Sequence, residues 1–395
     1  MDFEDYVKKD SQYHIDTYTR LPVLLIKGKG CTLWDINGKS YLDFLSGIGV
    51  TSVGHCHPTV VNAVKSQMEQ LVHVSNLFYT IPQIKLAEKL VSISFGDKCF
   101  FANSGAEANE GAVKLARKYS KTFRGEDKYE IITAYRSFHG RTMKMLAASG
   151  QPEKQKPFEP MPIGFKHVPL NDFKALKGAI TDKTGAVMLE PIQGEGGVYP
   201  CNLKYLQDVR RFCDEKGFLL ILDEVQTGIG RTGRMFAYEH FGIEPDIISL
   251  AKGLGGGLPI GAIIAKDEVA KAFEPGDHGS TFGGGPVACT AALAALKIIE
   301  DEELVENSEK MGEIILEKLQ KMSKKIPIKE IRGKGLMIGI ELEQEMAKEV
   351  VSKCLNDGLI VNNIGSKIIR LLPPLCITKD EVNMAMKILE KALTN

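Results

Sequence analysis

The stretch DIISLAKGLGGGLPIGA, Asp246 to Ala262, decides the fold. Ile247, Ile248, Ser249, Leu250 and Ala251 form a short, almost wholly apolar run, the pattern of a strand covered on both faces. Lys252 follows at once, and then a run rich in glycine. A lysine that closes a buried strand sits where open α/β sheets bind ligands, at the carboxyl ends of their strands.

Reading outward, similar runs recur: KCFFAN (98–103), EIITAY (130–135), GAVMLEP (185–191), FLLILDE (218–224) and GAIIAK (261–266). Helical patterns fall between them, at Ala106–Ser120, Leu203–Lys216 and Val287–Glu300. Strand and helix alternating at this spacing predict an α/β domain with a largely parallel sheet. After about residue 300 the character changes to long charged helices (301–324 and 344–357) and short strands such as LMIGIEL (336–342), a smaller α+β domain. The expected division is 1–44 as an N-terminal segment packed with the small domain, 45–290 as the large domain and 291–395 as the small domain.

Composition narrows the function. The 395 residues carry 50 Lys+Arg against 50 Asp+Glu, so no basic excess exists to draw nucleic acid or an acidic membrane. No apolar run approaches the ~20 residues of a transmembrane helix. The N-terminus has no apolar signal region, and the eight scattered cysteines include no CxxC pair, as in a cytoplasmic protein with reduced thiols. GHCHP (54–58) gathers two His and a Cys, but no second cluster is spaced to complete a metal site; Pro58 suits the first turn of a helix. No metal is expected.

The apolar runs end in chemically useful groups. FLLIL ends in Asp223-Glu224, IISLA in Lys252, FFAN in Ser104-Gly105, and MLEP leads to Gln193-Gly194-Glu195. A lone strand-end lysine is usually solvated surface. Here the glycines after Lys252 would let a bulky group approach the backbone. A lysine of lowered pKa is a Schiff-base nucleophile, and a carbonyl cofactor at such a sheet edge points to pyridoxal phosphate. That cofactor needs a carboxylate at its ring nitrogen, a phosphate cradle and a group on the ring face. Asp223 supplies a carboxylate that is costly to bury without a cation. Ser104 and Glu107 have capping-box spacing, and Gly105 behind the cap bares N–H groups suited to a phosphate dianion. Phe138, in FHGR, follows another strand and is placed to stack. GIGRTG (228–233) matches a dinucleotide fingerprint literally, but four residues separate it from the preceding strand, and Asp246 opens its strand where a ribose-binding acid would close it.

Taken together, LWDINGKSYLDFLSGIGVTSVGHCHP, HVSNLFY, FFANSGAEANEGAVKLARKY, SFHGRT, LEPIQGEGG, LDEVQTGIGRTG, LAKGLGGGLPIGA, HGSTFGGGP and RLLPPL resemble the class III (subgroup II) pyridoxal-phosphate aminotransferases of fold type I over nearly the whole chain. The resemblance implies that Lys252 carries the cofactor as a Schiff base and Asp223 holds its ring nitrogen. It places Glu224, Val225 and Gln226 beside the ring and Phe138 on the other face. Ser104, Gly105 and Ala106 would hold the phosphate, completed by Thr281 from the second subunit of a homodimer. Arg141 would bind one substrate carboxylate with Ser280 beside the substrate. Arg370 would bind the second carboxylate of glutamate or 2-oxoglutarate and pair with Glu195 when that site is empty.

The implied reaction moves the δ-amino group of N2-acetyl-L-ornithine to 2-oxoglutarate, a step of arginine synthesis. The alternatives are 4-aminobutyrate, ornithine, succinylornithine or succinyldiaminopimelate as donor. Two departures bear on this. Gly285 stands where the family often has Asn. Ile48 stands where ornithine-specific members carry an aromatic hydroxyl, which favours a donor without a free α-amino group. A cofactor-free protein on a decayed scaffold is a rival, disfavoured by the intact set Lys252, Asp223, Gln226, Arg141 and Arg370.

Overall fold

The computed structural model describes residues 2–394. A seven-stranded sheet runs in the order Lys98–Ala102, Gly261–Ala265, Ile247–Leu250, Leu219–Asp223, Thr184–Leu189, Glu130–Ala134, Phe165–Val168. Every neighbouring pair is parallel except those made by Gly261–Ala265, which runs antiparallel to both of its partners. The four strands Gly261–Ala265, Ile247–Leu250, Leu219–Asp223 and Thr184–Leu189 are buried at every position. Helices cover both faces, so these strands need apolar side chains on both sides rather than an alternation.

The fold class is thus the expected one. Phe165–Val168 is an addition: its mostly half-buried residues lie at the sheet edge, and FKHV carries too little apolar character to be read as a strand. The helix Gly105–Arg124 presents Ala108, Ala112, Val113, Leu115 and Ala116 to the sheet, and small side chains let it lie close. Leu220 is fully buried in the central strand Leu219–Asp223. Leu220→Ala should lower unfolding stability by about 2–5 kcal/mol, because surrounding groups collapse only partly into the cavity left. Urea unfolding with an unchanged m-value checks this; a midpoint at the wild-type value would show that the centre of the sheet repacks freely.

Two four-stranded sheets and the two-stranded pair Ile192–Gln193 with Tyr199–Pro200 accompany this one. Leu25–Lys29, Thr32–Asp35 and Ser40–Asp43 form an antiparallel meander, and Ser40–Asp43 pairs parallel with Leu359–Ile360 near the other end of the chain. Ile328–Lys334, Met337–Leu342, Ile368–Leu371 and Asn362–Ile364 form an antiparallel sheet in that order. Arg370 lies on one of its two inner strands, opposite Gly339. His57 caps the helix Pro58–Gln70, with Pro58 in its first turn. His55 and His57 go to different carboxylates, Asp43 at 2.7 Å and Glu302 at 3.1 Å.

Candidate active site

Lys252 does follow the strand Ile247–Leu250, two residues beyond its end, and its own φ is +41°, a region L residues seldom occupy. The following glycines serve the turn more than they open space. A Cβ at position 253 would lie 2.6 Å from Ser52 Oγ, and Gly256 and Gly257 have φ of +57° and +112°. Of these three, only Gly257 borders the cavity that Lys252 enters.

That cavity holds about 500 Å³. Its walls include the strand-end residues Ser104, Gly105, Glu195, Asp223 and Lys252 together with Ala106, Phe138, Arg141, Val225 and Gln226. Burial lowers the Lys252 pKa below that of an ordinary lysine; Glu195 opposes the shift and Arg370 adds to it. Its amine has no hydrogen-bonding partner among the described residues. A lysine poised to be neutral is a nucleophile, and its exposure to the cavity gives it something to attack.

Asp223 ends the strand Leu219–Asp223 and is 4% exposed. One oxygen, Oδ2, accepts from Asn109 Nδ2 at 2.7 Å and from His139 Nδ1 at 2.8 Å. The other, Oδ1, accepts only from the Val225 N–H at 3.0 Å. Asn109 is itself set by Ser249, whose Oγ donates to its Oδ1 at 2.5 Å. His139 is fully buried, which disfavours its charge, but the Asp223 carboxylate outweighs that and raises its pKa. Asn109 and His139 were not read as site residues. Asn109 is a polar residue among the buried Ala108, Ala112 and Val113 of this helix, a signal available in the sequence.

Ser104 caps the helix Gly105–Arg124, its Oγ accepting the Glu107 N–H at 3.2 Å. The reciprocal half of the expected capping box is absent: Glu107 Oε2 instead accepts the N–H of Asn103 at 2.7 Å. The N–H groups of Gly105 and Ala106 remain free at the helix N-terminus, where the backbone dipoles favour an anion. Position 105 must be glycine, since a Cβ there would lie 2.7 Å from Val225 Cγ1. These groups fit pyridoxal phosphate: an unpaired amine for its aldehyde, a buried carboxylate with open acceptor capacity for its ring nitrogen, and free backbone donors for its phosphate.

Arg370, 1% exposed, donates from Nη1 to Glu195 Oε1 at 2.6 Å and from Nε to Asn362 Oδ1 at 3.2 Å. Gln226 lies between the two sets of groups, 3.4 Å from both Glu195 and Arg370. Burial opposes the charge of Glu195, but Arg370 and then Lys252 overcome it and hold the carboxyl below its usual pKa. The Arg141 guanidinium lies 5.4 Å over the Phe138 ring at the exposed mouth. Glu190, read only as part of a strand end, also lines the cavity, and burial pushes its pKa up to about 7.

Three expected site residues stand elsewhere. Glu224 is corrected: its carboxylate turns away from the cavity and accepts from Thr227 Oγ1 and from the N–H groups of Ala237 and Tyr238, so it fastens the loop that follows. Side chains after a strand end alternate in direction, and Glu224 is the one that points away. Ser280 and Thr281 do not border this cavity; Ser280 Oγ accepts from Asn103 Nδ2 at 3.0 Å, and Thr281 is exposed. In the GIGRTG loop no strand or helix forms, and Asp246 is engaged by Arg210 at 2.7 Å and Lys266 at 3.0 Å, which leaves no acid for a ribose. Gly285 has an ordinary φ of −57° as cap of the helix Pro286–Asp301, so an Asn there would not be strained by φ.

A nucleophilic lysine opposite a carboxylate-held ring site and a helix N-terminus is the site of a pyridoxal-phosphate enzyme, and the comparisons define which kind. The model of the class-III aminotransferases matches residues 14–393, and the chain belongs to that family. It is 53% identical to the acetylornithine aminotransferase of Methanocaldococcus jannaschii, over 100% of this chain and 99% of the relative. It is 52% identical to that of Caldanaerobacter subterraneus subsp. tengcongensis, over 98% of each. Among solved structures, the ornithine aminotransferase of Toxoplasma gondii superposes with a TM-score of 0.96 at 36% identity, covering 100% of this chain and 95% of that one. The acetylornithine aminotransferase of Elizabethkingia anophelis does so with 0.89 at 36% identity, over 100% and 99%. The chain is therefore a pyridoxal-phosphate-dependent transaminase. Among the described residues no helix is long and apolar enough to cross a membrane.

Proposed function

We propose that this transaminase takes the δ-amino group of N2-acetyl-L-ornithine and gives it to 2-oxoglutarate. The products are N-acetyl-L-glutamate 5-semialdehyde and L-glutamate, in a cytoplasmic step of arginine synthesis. The relatives about half identical to it are named acetylornithine aminotransferases. The single observation that carries the reading is the Glu195–Arg370 pair beside Lys252. An enzyme that accepts acetylornithine and glutamate in turn must hide one cation from the first donor and offer it to the second. A carboxylate that closes on Arg370, and opens for glutamate, does this.

When bound, pyridoxal phosphate acts as an electron sink for the carbon that loses a proton. The chain's own residues do the rest. Lys252 Nζ, with its lowered pKa, would serve as general base toward the amine-bearing carbon of a bound substrate and then return that proton as general acid. Asp223 would hold the ring nitrogen, Val225 and Phe138 would pack against the ring, Gln226 would reach its oxygen, and Ser104, Gly105 and Ala106 would hold the phosphate. Arg141 takes the α-carboxylate of acetylornithine. Ile48, at φ +66°, offers no hydroxyl to a free α-amino group.

The chain is proposed to act as a homodimer, with Thr281 and Ser280 reaching the site of a second copy. Phe282, 66% exposed and in ring contact with His73, stands with Leu77, Phe78 and the 95% exposed Tyr79 as unusually bare apolar surface around Thr281. The division 1–44, 45–290 and 291–395 is retained as a proposal; the helix Pro286–Asp301 crosses its second boundary. Ornithine is a second reading, favoured by the backbone match to the Toxoplasma gondii enzyme.

The test is the visible spectrum of the holoenzyme. Bleaching by acetylornithine and recovery with 2-oxoglutarate is the expected result. Bleaching by ornithine or 4-aminobutyrate but not by acetylornithine would reassign the donor. Glu195→Ala should then leave Arg370 uncovered and lower kcat/KM for acetylornithine relative to glutamate about tenfold or more, since a charged hydrogen bond contributes about 1.5–3 kcal/mol. Unchanged discrimination would remove the switch from the account.

A further inference from the structure

Glu190 is a buried carboxylate to which the reaction above gives no task. It follows the strand Thr184–Leu189, is 6% exposed, and forms no ion pair among the described residues. Its two oxygens divide between two loops. Oε2 accepts the N–H of Phe138 at 3.0 Å, and Oε1 accepts the N–H of Gly194 at 3.2 Å. Phe138 is the residue proposed on the ring face. Gly194 directly precedes Glu195, the partner of Arg370. Gly194 packs closely on Gln226, the side chain that reaches both Glu195 and Arg370: a Cβ there would lie 2.0 Å from Gln226 Oε1. The position of Glu195 is therefore set by contacts at its neighbour, and one of them is the Glu190 carboxylate.

We propose that Glu190 is a positioning residue that fixes the Glu195–Arg370 gate, and through it the choice between donors with one carboxylate and donors with two. The proposal rests on reading that ion pair as the gate. A carboxylate meets the geometry because it offers an acceptor on each oxygen, whereas a glutamine of the same size offers one acceptor and one donor. With glutamine, one of the two N–H groups faces another N–H, and either Phe138 or Gly194 must withdraw.

The test compares wild type, Glu190→Gln, Glu195→Ala and the double variant as holoenzymes. Cofactor absorbance gives kcat/KM for the acetylornithine and glutamate half-reactions separately, and a thermal melt reports folding. Glu190→Gln is expected to shift the ratio of the two values about tenfold in the direction of Glu195→Ala, and the double variant to shift it no further than Glu195→Ala alone. A purely structural role predicts equal losses in both half-reactions; that outcome, an unchanged ratio, or additive shifts would overturn the proposal. If Glu190→Gln does not fold, Glu190→Asp takes its place: one methylene shorter, it cannot span both N–H groups, and the same shift is expected. A ratio unchanged in Glu195→Ala would sink the gate reading and the proposal with it; a ratio that shifts there but not in the Glu190 variants would sink the proposal alone.

Discussion

Lys252→Ala yields a folded protein that turns over at no more than about one ten-thousandth of the wild-type rate, the upper range for loss of a general base alone. The physical reason is the state of the amine. Burial lowers its pKa, so a larger fraction is neutral than in an exposed lysine, and no hydrogen bond occupies it. Both properties vanish with the side chain. Lys252→Arg does not restore them, because a guanidinium stays protonated. Stability moves the other way. A lysine whose folded pKa is depressed binds a proton less readily than in the unfolded chain, so it weakens the fold below its unfolded pKa of about 10.4. The cofactor-free Lys252→Ala protein should therefore melt no lower than cofactor-free wild type. Turnover within a hundredfold of wild type would show that another group moves the proton.

Asp223→Asn is expected to lower turnover by about 10²–10⁴-fold, since removing one partner of a buried charge pair costs about 3–5 kcal/mol. The wild-type carboxylate accepts three hydrogen bonds in the protein and retains acceptor capacity on Oδ1. An amide has one acceptor oxygen, so either Asn109 and His139 or the ring nitrogen loses its partner. The variant also has a signature beyond rate. With the carboxylate gone, burial is opposed only by the weaker pull of Glu190, and the His139 pKa is expected to fall. NMR titration of the His139 ring measures that directly. Activity within tenfold of wild type, with His139 still raised, would mean that Asp223 is a structural anchor for His139 rather than the cofactor's counter-charge.

Much of this site was readable from the chain alone. Strands that must be apolar on both faces announce themselves as short unbroken runs, and the first polar residues after them, Asp223 and Lys252, stand out against that background. Ser104 and Gly105 are legible for a similar local reason, because a helix start has its own chemistry. The sequence thus determined the fold class, the cofactor chemistry and part of the cavity wall, Ser104, Gly105, Asp223 and Lys252 among them, each a property of a few neighbours along the chain. Only the tertiary structure decided the rest. Glu224 adjoins Asp223 but turns into the following loop. Gly253 is there to let Ser52 approach, a contact across about 200 residues of chain. Asn109, His139 and Asp223 come from three separate elements and meet at one oxygen, and Glu190 bridges two loops that no periodicity links. Those arrangements depend on which strand lies beside which, and strand order is fixed by packing of the whole sheet, not by any stretch of sequence within it.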